Sequence, residues 1–350
     1  MSVIFRAYVR GRKKRIAIVG ALLLPFMYFV GVHDVLPADL EPPTPPTPPT
    51  FHLELVVLTY DRPHSLRRLL DSLEAAEYDG DAVTLRICID GPRDEGARAA
   101  HAESVDVARR FSFSHGKKLL DVRESNVGAY VQWFDCWRPG EAPHAYGIIL
   151  EDDLRVSPYF YRWLKPALLT YADNPQVGGV TLQRGTLVAR SGKHRNPLCV
   201  GCGDTAAFLY RLLGTWGFAP MPRQWRRFQR WVHEAMKDAE FVPYVRDARL
   251  ITNAWLRKRH SIMKTMPAAY TIHYLAKNQL YTVYANLPDN ATLACNHREA
   301  GMNYRKNHGD IVLGECDFEP LRHWEKRFTE FPYNPVRLGW DALPESDMDP

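Results

Sequence analysis

Leu53 to Leu58 is a largely apolar run, and from Ser65 to Ala76 the period changes: Leu66, Leu69, Leu70 and Leu73 recur at i, i+3, i+4 and i+7. The first stretch predicts a buried strand and the second an amphipathic helix. The alternation then repeats. Thr84 to Ile89 predicts a second strand closing on the turn Asp90-Gly91-Pro92, and Ala97 to Phe111 a second helix. Lys118 to Val122 predicts a third strand ending in Asn126-Val127-Gly128, Tyr130 to Trp137 a third helix, and Ile148 to Leu150 a fourth strand. This βαβα order implies right-handed crossovers and a mostly parallel sheet flanked by helices, an α/β fold. Further on, Trp225, Phe228, Val232 and Met236 form a core stripe at helical spacing, and Leu275 to Leu287 reads as strand-like core.

The N-terminal 50 residues follow neither pattern. Ile16 to Val32 is uncharged and largely apolar, about 25 Å long as a helix, which predicts a transmembrane signal anchor. Residues 1–15 carry six basic residues and no acid, whereas Asp34, Asp39 and Glu41 follow the run, so the tail is expected in the cytoplasm and the remainder across the membrane. The short span suits an early secretory membrane, Golgi or endoplasmic reticulum, with single-pass type II topology. A cleaved signal peptide is the competing reading. Residues 33–50, rich in Pro-Pro-Thr, are expected to be an extended stem without a fold. The globular part then divides into 51–190 and 191–350. The formal charge of +5 belongs to the tail, because without it 39 basic residues face 40 acidic ones. That balance gives no case for nucleic-acid binding.

The candidate chemistry lies where the fourth strand stops at Glu151-Asp152-Asp153. Ligands of open α/β sheets bind beyond the carboxyl ends of the strands. Three adjacent carboxylates raise one another's pKa unless a cation neutralises them, and hard oxygen ligands suit Mn²⁺ or Mg²⁺. The bland alternative is an acidic helix start, with Ser157 as N-cap and Pro158 in the first turn. Three strands end in polar residues at this one edge: Thr59 to Arg62, Asp90, and Glu151 to Asp153.

Val56-Val57-Leu58-Thr59-Tyr60-Asp61-Arg62, Cys88-Ile89-Asp90-Gly91 and Leu150-Glu151-Asp152-Asp153-Leu154, in that order and spacing, resemble the nucleotide-sugar half of GT-A glycosyltransferases. The likeness is to the N-acetylglucosaminyltransferase I type and covers residues 53 to 185 well. It implies a Rossmann-like nucleotide-diphospho-sugar transferase fold. It also implies that Arg62 approaches the donor diphosphate, Asp90 accepts a hydrogen bond from a uracil-like base, and Asp153 ligates Mn²⁺ or Mg²⁺. Thr59, Glu151 and Asp152 would line the nucleotide sugar. The implied reaction moves a sugar, N-acetylglucosamine favoured, from a UDP-sugar donor to a hydroxyl of a glycan or glycoprotein acceptor, with inversion expected. Leu213 to Trp225 looks like the aromatic acceptor loop of related enzymes, with Trp216 and Gly217 on the acceptor side. In one place the chain departs from the pattern. Asn253 stands where the resembled family carries an acidic general base, and an amide cannot take a proton from a hydroxyl. Asp247 and Asp204 are the candidate replacements; a retaining reaction or a shifted alignment would also account for the difference.

His297 and His308 are candidate metal or phosphate contacts. Asn290-Ala291-Thr292 is an N-glycosylation sequon if the domain is lumenal. Six cysteines suit structural disulfides in an oxidising compartment; zinc is disfavoured for Cys199 and Cys202 because no second close pair exists. Two rivals stand beside the transferase. A nucleotidyltransferase would need a glycine-rich loop after the first strand, and Tyr60-Asp61-Arg62-Pro63 is not one. The other is a membrane-tethered carbohydrate- or nucleotide-sugar-binding protein that has lost turnover.

Overall fold

The computed structural model describes residues 51–142, 144–246, 248–258, 266–287, 291–299, 312–313, 316, 318–322 and 330–345. The expected anchor at 16–32, the stem at 33–50, Asp247, Asn290 and His308 lie outside the described residues. Within them no helix is long and apolar enough to cross a membrane.

The first half follows the alternation closely: β1 (His52–Thr59), α1 (Pro63–Glu74), β2 (Val83–Ile89), α2 (Arg98–Arg110), β3 (Gly116–Val122), α3 (Ala129–Asp135) and β4 (Ala145–Glu151). β1 pairs in parallel with both β2 and β4, and β2 in parallel with β3. β1 is apolar from Leu55 to Leu58 because helices cover both of its faces. Leu53, Leu55 and Val57 join the leucine stripe of α1 in one core, and Val56 and Leu58 join Trp133 and Phe134 of α3 in the other. Each buried leucine contributes roughly 1.5–3 kcal/mol, so packing holds α1 in place without a side-chain cap. Its N-cap residue, Arg62, makes no capping hydrogen bond. The guanidinium is thereby left to the sheet rim.

After β4 come β5 (Leu154–Val156), α4 (Phe160–Thr170), β6 (Val177–Thr181), β7 (Leu187–Val188), β8 (Lys193–His194), β9 (Ala207–Tyr210) and β10 (Phe218–Pro220). They are followed by α5 (Pro222–Ala235), α6 (Ile251–Lys258), α7 (Pro267–Lys277), β11 (Tyr281–Ala285), β12 (Ala294–His297), β13 (Val312–Leu313) and β14 (Arg337–Leu338). One nine-stranded sheet, ordered β14-β9-β11-β6-β10-β4-β1-β2-β3, takes strands from both sides of residue 190. It is mostly parallel, with β10 antiparallel to β4 and β6, and β9 antiparallel to β11. A small sheet, β13-β12-β5, stands beside it.

Two local expectations are corrected. Leu275 to Leu287 is not one strand: Leu275 to Lys277 finish α7, and the chain turns at Gln279, with φ of 53°, before β11 begins. Ser157 is not a helix cap next to Pro158, since α4 starts at Phe160 and the Ser157 hydroxyl accepts from Tyr159 N at 3.1 Å. The Trp225, Phe228 and Val232 stripe is core, as its spacing predicts.

Candidate functional site

The acidic triplet turns the corner between β4 and β5 at the carboxyl rim of the parallel strands. Asp152 is 1% exposed, and its backbone N–H continues the ladder to Leu58 O at 3.1 Å. Its Oδ2 accepts from Thr59 Oγ1 at 2.7 Å, and its Oδ1 pairs with Arg62 Nη2. Arg62 Nη1 lies 3.8 Å from Asp153 Oδ2. One guanidinium thus bridges two carboxylates. β12 closes the rim from the far side of the chain: His297 N donates to Asp153 O at 2.7 Å, and the Asn296 side chain hydrogen-bonds the Asp153 carboxylate. Behind these groups Trp133 hydrogen-bonds Glu151.

The cleft over this rim has a volume of about 850 Å³ and runs across the ends of β1, β2 and β3. It brings together Thr59, Arg62, Asp90, Glu151, Asp152 and Asp153, all expected from the sequence. Asn126, Gly128, Tyr130, Gln132, Trp133, Thr215, Met266 and Glu299 also line it, and sequence reasoning assigned none of them to the site. Asn126 and Gly128 had a signal in the turn after β3. Glu299 had none, because its place depends on a pairing 231 residues away: it accepts from Arg68 Nη2 on α1 at 2.8 Å.

Asp90 differs from its expected role. Its Oδ1 accepts from Gly91 N and Val127 N, both at 2.9 Å, and its Oδ2 from Gly128 N at 2.8 Å and Asn126 Nδ2 at 3.1 Å. A carboxylate has about four lone-pair sites, and here three are spent on the 126–128 loop and the fourth on Gly91 N. Gly91 permits that loop to approach, since a Cβ there would stand 2.3 Å from the Ser125 carbonyl carbon. Asp90 builds the wall of the cleft and has no lone pair left for a base.

The electrostatics of the rim favour a cation. Burial pushes Glu151 up to about 8, with Asp153 adding to the shift and Arg62 opposing it. Burial likewise lifts Asp153 to about 6 and raises Asp152, again against Arg62. Burial works against the charge of Arg62 too, but Asp152, Asp153, Glu151 and Glu299 together outweigh it and raise its pKa. Burial also opposes the charge of Glu299, but hydrogen bonds from Arg68 and Ser65 hold its pKa low. The three carboxylates of the triplet therefore lie beside one arginine, while Glu299 pairs with Arg68, and Asp153 Oδ1 is buried with no hydrogen-bond partner among the described residues. A hard divalent cation fits that donor set.

The other expected residues fall elsewhere. Asp204 is exposed in the turn after the Cys199–Cys202 disulfide and does not line the cleft. Trp216 is half-buried against the core; the N–H groups of Thr215 and Trp216 donate to Gln183 Oε1 at 2.8 and 3.4 Å. Its loop reaches the cleft through Thr215. Gly217 supplies the turn behind it, with φ of +69°. Asn253 is 1% exposed and clasps a loop, accepting from Val245 N at 3.1 Å and donating to Val245 O at 2.7 Å and Ala248 O at 2.9 Å. The His297 ring follows strand alternation to the face of Cys295, within 4.8 Å of both sulfurs of the Cys295–Cys316 disulfide and on the face opposite Asn296. The third disulfide joins Cys88 of β2 to Cys136 after α3.

No curated protein matches the chain. Among solved structures, S. aureus TarS 1-349 aligns with a TM-score of 0.37 at 13% identity, over 69% of this chain and 59% of that one. A second crystal structure, S. aureus TarS 1-349 in complex with UDP-GlcNAc, aligns with a TM-score of 0.35 at 13% identity, over 69% and 60%. The alignment thus spans about three fifths of the TarS chain. The family model that matches is not of the N-acetylglucosaminyltransferase I type. It is that of the SPBC1E8.03c C-terminal domain, over residues 62–241, from Arg62 through the acidic triplet to the end of the segment after α5. Since that match takes in just over half of the 350 residues, the chain belongs to the SPBC1E8.03c C-terminal domain family.

Proposed function

We propose that this protein is a metal-dependent glycosyltransferase that uses a UDP-sugar donor, with N-acetylglucosamine the sugar its motifs favour and a glycan or glycoprotein hydroxyl the acceptor. One observation carries the reading: Arg62 bridges Asp152 and Asp153 at the carboxyl rim of parallel strands, in a cleft of about 850 Å³. That volume falls in the range of small-molecule sites. Asp153, with Asp152 beside it, would hold Mn²⁺ or Mg²⁺. When bound, the cation supplies charge neutralisation for a departing diphosphate. Arg62 offers a planar fork to phosphate oxygens, and Thr59 holds Asp152 in orientation through its hydroxyl. Asp247 is the proposed general base; in sequence it stands between Val245 and Ala248, whose carbonyls accept from Asn253. The three disulfides support an oxidising, lumenal setting behind an anchor at residues 16–32.

Asn253 in place of an acid is the feature that favours an inactive binder. The structural work of that amide accounts for the substitution without loss of turnover. Calorimetric titration of the full-length protein with UDP tests the central assignment. Binding is expected with Mn²⁺, is expected to disappear under EDTA, and is expected to weaken at least about tenfold in Asp153→Ala. UDP binding that is indifferent to both changes would sink the metal assignment.

A further inference from the structure

The reading of this cleft as a nucleotide-sugar site leaves open which side chain reads the base once Asp90 is spent. The cleft crosses the strand ends in the order β4-β1-β2-β3. Neighbouring strands lie about 4.8 Å apart, so the ends of β2 and β3 stand about 10–14 Å from the acidic triplet. That is the reach of a nucleoside beyond its diphosphate. The polar side chains at this end are few. Asn126 spends its amide hydrogens on Asp90 Oδ2 and Gly91 O, the latter at 2.9 Å. The Tyr60 hydroxyl accepts from Arg93 N at 2.8 Å.

Gln132 is different. It is 2% exposed, it borders the cleft, and neither its Oε1 nor its Nε2 has a hydrogen-bond partner among the described residues. Leaving a buried amide unsatisfied is unfavourable, an arrangement that a ligand edge would relieve. Its backbone is fixed: Gln132 N donates to Gly128 O at 3.2 Å, the Cys88–Cys136 disulfide closes the other end of α3, and Gln229 Nε2 donates to Phe134 O at 2.6 Å. Only the side chain has room. A second cavity, of about 610 Å³, also borders Gln132.

We propose that the Gln132 amide reads the nucleobase of the donor, turning into the cleft to pair with the imide edge of a uracil-type base. The match is chemical. An amide presents one acceptor and one donor in a single plane, and an imide presents N–H beside C=O in the same sense. Two such bonds discriminate by about 1–3 kcal/mol, or about 5- to 150-fold in affinity.

The test compares UDP, 3-methyl-UDP and inorganic pyrophosphate as ligands of the full-length protein in Mn²⁺. Wild type is expected to bind 3-methyl-UDP at least about fivefold more weakly than UDP. Gln132→Leu, similar in size, is expected to lose about 5- to 150-fold of UDP affinity, to erase the preference over 3-methyl-UDP, and to bind pyrophosphate as wild type does. Gln132→Met, unbranched like glutamine and without an amide, serves if the leucine variant melts early. The proposal is overturned if wild type binds the two nucleotides alike. It is equally overturned if a variant that melts normally keeps UDP affinity within twofold, or loses UDP and pyrophosphate together. Failure of wild type to bind pyrophosphate at all is a separate result, and it contradicts the nucleotide-sugar reading itself.

Discussion

Asn253 uses both halves of its amide, accepting from Val245 N and donating to the carbonyls of Val245 and Ala248. An aspartate there would face two carbonyl oxygens with no hydrogen to give, and would bury a charge. Asn253→Asp, the change that restores the acid of the resembled family, is therefore expected to cost about 2–4 kcal/mol in urea unfolding and to leave donor turnover no higher. A stable variant with raised turnover would restore this position to the catalytic machinery. The sequence shows which residue types stand at Asn253 and Asp90 but not what their hydrogen bonds are spent on. Both had a chemical reading and both turned out to hold loops, because the partners are backbone groups whose direction is fixed only by the folded chain.

At the scale of elements, α3 is the part on which the cleft depends most. It carries Trp133 behind Glu151, and its end is tied to β2 by Cys88–Cys136, 48 residues apart. In the chain-entropy picture a loop of that length contributes about 4 kcal/mol. Replacing both cysteines with serine is expected to lower the melting temperature and to weaken UDP binding more than pyrophosphate binding, since the pinned helix lies at the base end. Equal losses for the two ligands would contradict the role given to α3. The elements themselves were legible where period and burial agree. β1, β2 and β4 and their helices fall within a few residues of the apolar patterns, because strands covered on both faces read as largely apolar runs, while β3, at the sheet edge, has a weaker pattern. The second half was less legible: β7, β8, β13 and β14 are two residues each, too short to carry a period, and α7 runs into β11 through a single turn. Disulfide pairing was beyond reach, as it is set by which strands become neighbours.

Across the whole molecule, the buried rim links charge to stability. Glu151 and Asp153 titrate higher folded than unfolded, so unfolding releases their protons more readily as pH rises. Their contribution is fully present below about pH 4 and is lost as pH climbs through about 6 for Asp153 and about 8 for Glu151. The metal-free protein is thus expected to lose melting temperature from this site between those limits, with Mn²⁺ restoring more at pH 7.5 than at pH 5.5. A metal effect that shrinks as pH rises would speak against carboxylate ligands. The order of polar strand ends was the most legible feature of the site, since it follows from topology alone. Glu299 was not, because nothing local to its stretch signals a rim.

The most direct test of the account is the release of free nucleotide from UDP-N-acetylglucosamine by the purified full-length protein, with and without Mn²⁺ and with Asp153→Ala alongside. Metal-dependent release that falls about 100-fold or more in the variant is the predicted result. Release that persists in EDTA or survives the substitution would contradict the assignment of Arg62, Asp152 and Asp153 to a metal–diphosphate site.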